Sequence, residues 1–165
     1  MKKGFTLIEI IIYVSVLVIV VSSVVSFIFW AVNSNTKAKA MAEVSDNFRR
    51  AIEIMSSEIR EAKSVYTPTT GANQLSLETK KYLPVGEATS FIDFSLCSTK
   101  LCLKKEGQDP EALTSDRVEV YNLYFTPVAT TTVQIGFSIR YKNTNNRPEY
   151  NASLAATTTV SIRNY

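Results

Sequence analysis

From Ile10 to Val32 the chain runs for 23 residues without one formal charge. As an α-helix this stretch would extend roughly 35 Å, enough to cross a hydrocarbon core of about 30 Å with some tilt. Val and Ile crowd it and would favour a strand in water, but in lipid a single segment satisfies its own backbone only as a helix. Lys2 and Lys3 precede the run and Trp30 lies near its far end, where an interfacial ring is expected. The lysines predict a single pass with the amino terminus in the cytoplasm and the bulk of the chain outside.

Glu9, at the mouth of the run, is the anomaly. An ionisable group in a membrane segment costs about 2.5–3.5 kcal/mol on insertion scales and invites a search for a partner. No cation lies in the apolar run after it. A cut between Gly4 and Phe5 would create one, an α-amino group four residues before Glu9, which is one helical turn. The same cut would remove Lys2 and Lys3, whose charges hold the segment on the cytoplasmic side.

Lys3-Gly4-Phe5-Thr6-Leu7-Ile8-Glu9 resembles the signal of type IV prepilins and type II secretion pseudopilins. The resemblance is specific over residues 2–9 and generic over the rest of the helix. It implies that a prepilin peptidase cuts after Gly4, that the new amino-terminal Phe5 is methylated, and that the apolar helix stays in place. It also implies that Glu9 pairs with the amino terminus of a neighbouring subunit during assembly. Many major pilins of that family kink the helix with a proline near its middle, where this chain has Val25-Ser26-Phe27; the departure points to a minor subunit. Two rivals explain less. A plain uncleaved anchor leaves Gly4-Phe5 and Glu9 as accidents. A conventional secretory signal ending at Ala38-Lys39-Ala40 would have far too long an apolar core, with Lys37 and Lys39 in its cleavage region.

Three segments are expected: a leader 1–4, a transmembrane assembly helix 5–32, and an exported domain 33–165 large enough to bury one core. Net charge is +3 over the whole chain, with Lys2 and Lys3 supplying two of the positives, so nothing suggests a nucleic-acid partner. Asn33-Ser34-Asn35-Thr36 holds neither Pro nor Gly to stop a helix. Beyond it Met41, Val44, Phe48, Ile52, Met55, Ile59 and Ala62 keep helical spacing, with Asp46/Arg50 and Arg49/Glu53 as i,i+4 pairs on the other side. One helix from about residue 5 to 64 is predicted, its second half laying an apolar stripe on the head.

Thr67–Asn73 is loop by composition, and after it the period changes from 3.6 to 2. Strands are predicted at Gln74–Thr79, Phe91–Leu96, Lys100–Lys105, Val118–Phe125, Val133–Tyr141 and Thr157–Ile162, forming one antiparallel sheet under the helix. The fold class is α+β, a long helix packed on a meander, which agrees with the pilin head that the resemblance implies.

Cys97 and Cys102 would face one another if Thr99-Lys100 made a two-residue turn, placing them as a non-hydrogen-bonded pair about 4.5 Å apart at Cα, within disulfide range. An exported domain permits oxidation. Thr-Lys is poor chemistry for such a turn, so a looser loop stays open, and a metal-binding pair would lack the other ligands zinc wants. Glu106, Asp109, Glu111 and Asp116 gather acids in a charged region, but their spacing matches no calcium loop. No cofactor motif is found.

The expected function is structural: a minor pilin or minor pseudopilin of a type IV pilus or type II secretion filament, resident in the bacterial cytoplasmic (inner) membrane and drawn into a filament by its helix. The run Phe48–Ala62 is similar to larger minor subunits at filament tips. The alternative is a binding module carried by the filament, a tip adhesin or DNA-uptake subunit using the polar loops. An enzyme is not expected. The chain has no His, and with five glycines no nucleophile elbow or phosphate loop.

Overall fold

The computed structural model describes residues 6–67, 69–83, 85–129, 131–144 and 146–163. Helix α1 spans Leu7–Glu61 without interruption. No Pro or Gly occurs anywhere in it, so nothing covalent interrupts the ladder of backbone hydrogen bonds. Its hydroxyls bond back onto the helix: Ser15 Oγ donates to the Ile11 carbonyl at 2.8 Å, Ser22 Oγ to Val18 at 2.7 Å and Ser26 Oγ to Ser22 at 2.9 Å. These side chains therefore need no partner from outside.

The helix ends because tertiary pairing claims the chain. Ala62 turns to extended backbone, and the Lys63 N–H donates to the Glu78 carbonyl at 2.7 Å. The next residues form β1 (Ser64–Val65), paired antiparallel with β2 (Gln74–Thr79). Then come β3 (Ser90–Cys97), β4 (Lys100–Lys105) and β5 (Glu111–Ala112), each antiparallel to the one before, giving a sheet in the order β1-β2-β3-β4-β5.

A second sheet holds β6 (Val118–Ala129), β7 (Thr132–Tyr141) and β8 (Ser153–Ser161), again in chain order, with a 3-10 turn Pro148–Tyr150 between the last two. The fold is α+β with a pilin-like arrangement, a long amino-terminal helix against antiparallel sheet, as its alternating periods predict. The single predicted sheet is two among the described residues. The two-residue strands β1 and β5 are too short to show an alternation, and β8 begins at Ser153 rather than Thr157 because Ser and Ala carry little strand signal. β6 runs past Phe125 through Pro127, which sits at a register shift on the sheet's outer strand, a place where a missing N–H is tolerated.

The helix lies on the second sheet, with Phe48 stacked on Phe137 at 5.3 Å between ring centres. Val44, Ala51, Met55 and Ile59 are fully buried together with Val133, Ile135 and Ile139, and the core continues into the first sheet through Leu75, Leu77, Ile92 and Phe94. The buried line on α1 is rotated from the predicted one. Met41 is 39% exposed, while Ala40, Asn47 and Glu58 are inside. Counting only large apolar residues misplaces a face that small and hydrogen-bonded polar residues also occupy.

Candidate assembly helix and its anchorage

The apolar start of α1 projects from the head. An 18-residue apolar window within it has no buried residue, and the first buried residue along the helix is Ala40. From Leu7 to Lys39, a length of about 50 Å, no helix residue is buried. Leu7 is 77% exposed and Trp30 66%, values that water would penalise along the whole stretch. The helix is long and apolar enough to cross a membrane. Ala38-Lys39-Ala40, the rival cleavage site, lies inside the same continuous helix.

Gly4 and Phe5, the predicted cleavage and methylation positions, lie outside the described residues. Glu9 falls in the first helical turn, where a carboxylate interacts favourably with the helix dipole. Thr6-Leu7-Ile8-Glu9 has capping-box spacing, yet the Thr6 side chain makes no capping bond. The Glu9 carboxylate instead accepts a 3.3 Å hydrogen bond from the Tyr13 hydroxyl, one turn along. Sequence reasoning sought only a cation for Glu9 and missed this neutral partner. A single phenol donor leaves the carboxylate's charge and its remaining acceptor sites open.

Two polar clusters fix the other half of the helix to the head. At the near end Asn47 Nδ2 donates to the Glu43 carbonyl and to Glu43 Oε1, at 2.9 and 3.2 Å, while Asn47 Oδ1 accepts the Ser115 N–H at 2.8 Å. Ser115 Oγ donates to Glu43 Oε1 at 3.0 Å, and Arg117 reaches Glu43 Oε2 at 3.6 Å. The Ser115–Arg117 connection between the two sheets is thus tied to α1.

At the far end the Tyr82 hydroxyl donates to buried Glu58 at 3.1 Å, Lys81 pairs with Glu61, and Lys105 lies 4.3 Å from the Tyr82 ring centre. Burial first, and then the Glu58 charge, push the Tyr82 phenol above its ordinary value. The hydrogen bond to Lys81 holds the Glu61 carboxyl below its ordinary value, and the same bond raises Lys81. The Arg163 N–H donates to the Arg60 carbonyl at 2.9 Å, satisfying a helix-end acceptor from the last described residue.

Cys97 and Cys102 are joined in a disulfide with Cα atoms 5.9 Å apart. The hairpin register differs from the one expected. The two-residue turn is Ser98-Thr99, Cys97 faces Lys100, and Cys102 faces Ser95, so the bridge runs diagonally on one face. Ser98 takes φ 60°, which lets the turn close one residue earlier. The acids weighed for calcium go separate ways: Asp116 pairs with Lys100, and Glu106 Oε2 accepts the Phe91 N–H at 3.0 Å. No group of three or more metal-ligating side chains occurs among the described residues.

An uncovered apolar helix continuous with a folded antiparallel head defines a pilin-like architecture. Residues 1–25 match the family described as the prokaryotic N-terminal methylation motif. No curated protein and no solved structure matches the chain. The chain therefore carries a pilin-type precursor signal, one that implies processing by a prepilin peptidase and assembly with other pilin-type subunits.

Proposed function

We propose that this chain is a minor pilin or minor pseudopilin, a structural subunit of a type IV pilus or type II secretion filament. The observation that carries the reading is the junction of the methylation motif with a helix whose apolar half is uncovered and whose other half is the spine of a folded head. In this reading the leader 1–4 is removed between Gly4 and Phe5, and Phe5 is methylated. Residues 5–32 cross the cytoplasmic membrane once with the amino terminus inside, and 33–165 form the exported head. The new amine then offers Glu9 a charge of opposite sign, in the same helix or a neighbour's, and the apolar flank packs among other subunits as it leaves lipid.

Mass spectrometry of the membrane protein, co-expressed with its peptidase, tests this directly. An amino terminus at Phe5 carrying one methyl group is expected. An intact Met1, or a start at Met41, would refute the reading.

A further inference from the structure

Just beyond the apolar run, the head overhangs the helix. Trp30, Asn33, Ser34 and Lys37 of α1 and Pro148 and Glu149 of the 3-10 turn line one groove of about 440 Å³. By helical rise Lys37 stands about 7.5 Å past Val32. That depth is at the outer edge of the headgroup layer, which adds about 5–7.5 Å to each side of about 30 Å of hydrocarbon.

The overhang is held in one shape. Asn143 Nδ2 donates to the Arg147 carbonyl and to Asn151 Oδ1, both at 2.9 Å, and Asn143 Oδ1 accepts the Arg147 N–H at 3.0 Å. Tyr141 and Tyr150 stack beneath it with ring centres 5.5 Å apart. The groove's acid, Glu149, has the Arg147 guanidinium 3.7 Å away. Lys37 has no hydrogen bond or ion pair among the described residues. Lys39 and Lys142 flank the same overhang in adjoining grooves. The acid further along, Glu43, is engaged by Ser115 and Arg117.

We propose that this groove seats the headgroup of an anionic phospholipid while the subunit resides in the membrane. The phosphate lies at Lys37, Asn33 and Ser34 offer hydrogen-bond donors, and the Trp30 ring covers the glycerol end, an amphipathic position suited to indole. Continuity with the apolar span and the unpaired cation at headgroup depth select a lipid as the occupant. The inference rests on the reading of Ile10–Val32 as the span, and the test separates the two.

The full chain is reconstituted in nanodiscs of phosphatidylcholine alone and of phosphatidylcholine with phosphatidylglycerol. Trp30 is the only tryptophan, so quenching of its fluorescence by lipid brominated in the acyl chain reports insertion. Hydrogen exchange of the Arg147, Glu149, Tyr150 and Asn151 amides reports the groove, Pro148 having no N–H, and exchange in β7 reports that each variant is folded. With phosphatidylglycerol, exchange at the groove amides is expected to slow about fivefold, the scale of one cation held at an anionic surface. Lys37→Gln should bring the ratio below about twofold, while Lys39→Gln leaves it. Equal exchange in the two lipids with Trp30 quenched, or equal effects of the two variants, would overturn the headgroup site. Absence of quenching would overturn the span and the headgroup site together.

Discussion

Asn47 ties the helix to the head through Ser115, and its removal has a calculable cost. It is 9% exposed and makes three hydrogen bonds, of which the one from the Ser115 N–H joins distant parts of the chain. In Asn47→Ala that N–H loses its acceptor in a part-buried setting, at about 1–3 kcal/mol, and the two bonds to Glu43 are lost as well, each worth about 0.5–1.5 kcal/mol net. The Glu43 carboxylate keeps Ser115 and Arg117 and the backbone carbonyl keeps its helical partner, so the lower halves of those ranges apply. The total is about 2–4 kcal/mol, or about 4–16 °C in melting temperature for a chain of this size. The measurement is thermal unfolding of the full chain in detergent micelles, with hydrogen exchange at Ser115 as the local readout. Asp46→Ala, one residue away on the solvent side, should stay within about 0.5 kcal/mol of the parent. A variant at position 47 as stable as the parent, with Ser115 still protected, would refute the attachment.

Gly136 sits opposite Tyr124, whose ring lies across it and whose hydroxyl is 3.2 Å from Thr157 Oγ1; a Cβ at 136 would fall within that ring. Gly136→Ala should cost about 1–3 kcal/mol by overpacking, and Tyr124→Ser in the same chain should recover most of it; an unchanged melting temperature for the single variant would contradict the contact. Glu61, Glu78 and Asp116 have carboxyl pKa values held below normal, chiefly by hydrogen bonds from Lys81, Lys63 and Lys100 respectively. Their contribution is present above the unfolded carboxylate range of about 4 and is lost as pH falls through the folded values, whereas Tyr82 and Lys81, both raised, contribute below about pH 10 and lose it as pH climbs higher. Melting temperatures across pH should therefore form a plateau that declines at both ends, and Glu78→Gln should flatten the acid side; no change there would argue against the Lys63 bond. Finally, Glu9→Ala should be processed normally yet fail to enter filaments, while Tyr13→Phe, which removes only the phenol donor, should still assemble; normal incorporation of the Glu9 variant would sink the charge-pairing argument.

The long helix was legible because its period is local: apolar residues recur every three or four positions, and no Pro or Gly occurs between Phe5 and Thr67. Its end was not, since the stop is made by Lys63 bonding to Glu78, a contact across fifteen residues that leaves no Gly or Pro to read. Asn47 and Glu58 escaped for a related reason. A polar residue on the buried face looks like a fault in the stripe until Ser115 and Tyr82, far along the chain, are seen to satisfy it. In the cysteine hairpin the alternation of β3 and β4 was visible, but register depends on one residue taking a positive φ. Ser98 does so without the Gly or Asn that would have advertised it. Glu9 stood out for its position in an apolar run, while Tyr13, one turn away, was hidden in that run as another large side chain.

The placement of the two polar clusters also bears on how such a subunit could be moved. Glu43 and Asn47 hold the helix near the point where it enters the head. Glu58 and the Arg60 carbonyl hold it where it ends, about 25 Å further along by helical rise. Between them lies the fully buried line of Val44, Ala51, Met55 and Ile59. An axial pull on the uncovered half is carried by an unbroken backbone ladder into this stretch. To slide the helix out, the pull must break both clusters and the apolar seam together, because all lie on one rigid element. Under the proposed function, the apolar half would pass from lipid to protein surroundings with the head still attached to the other half.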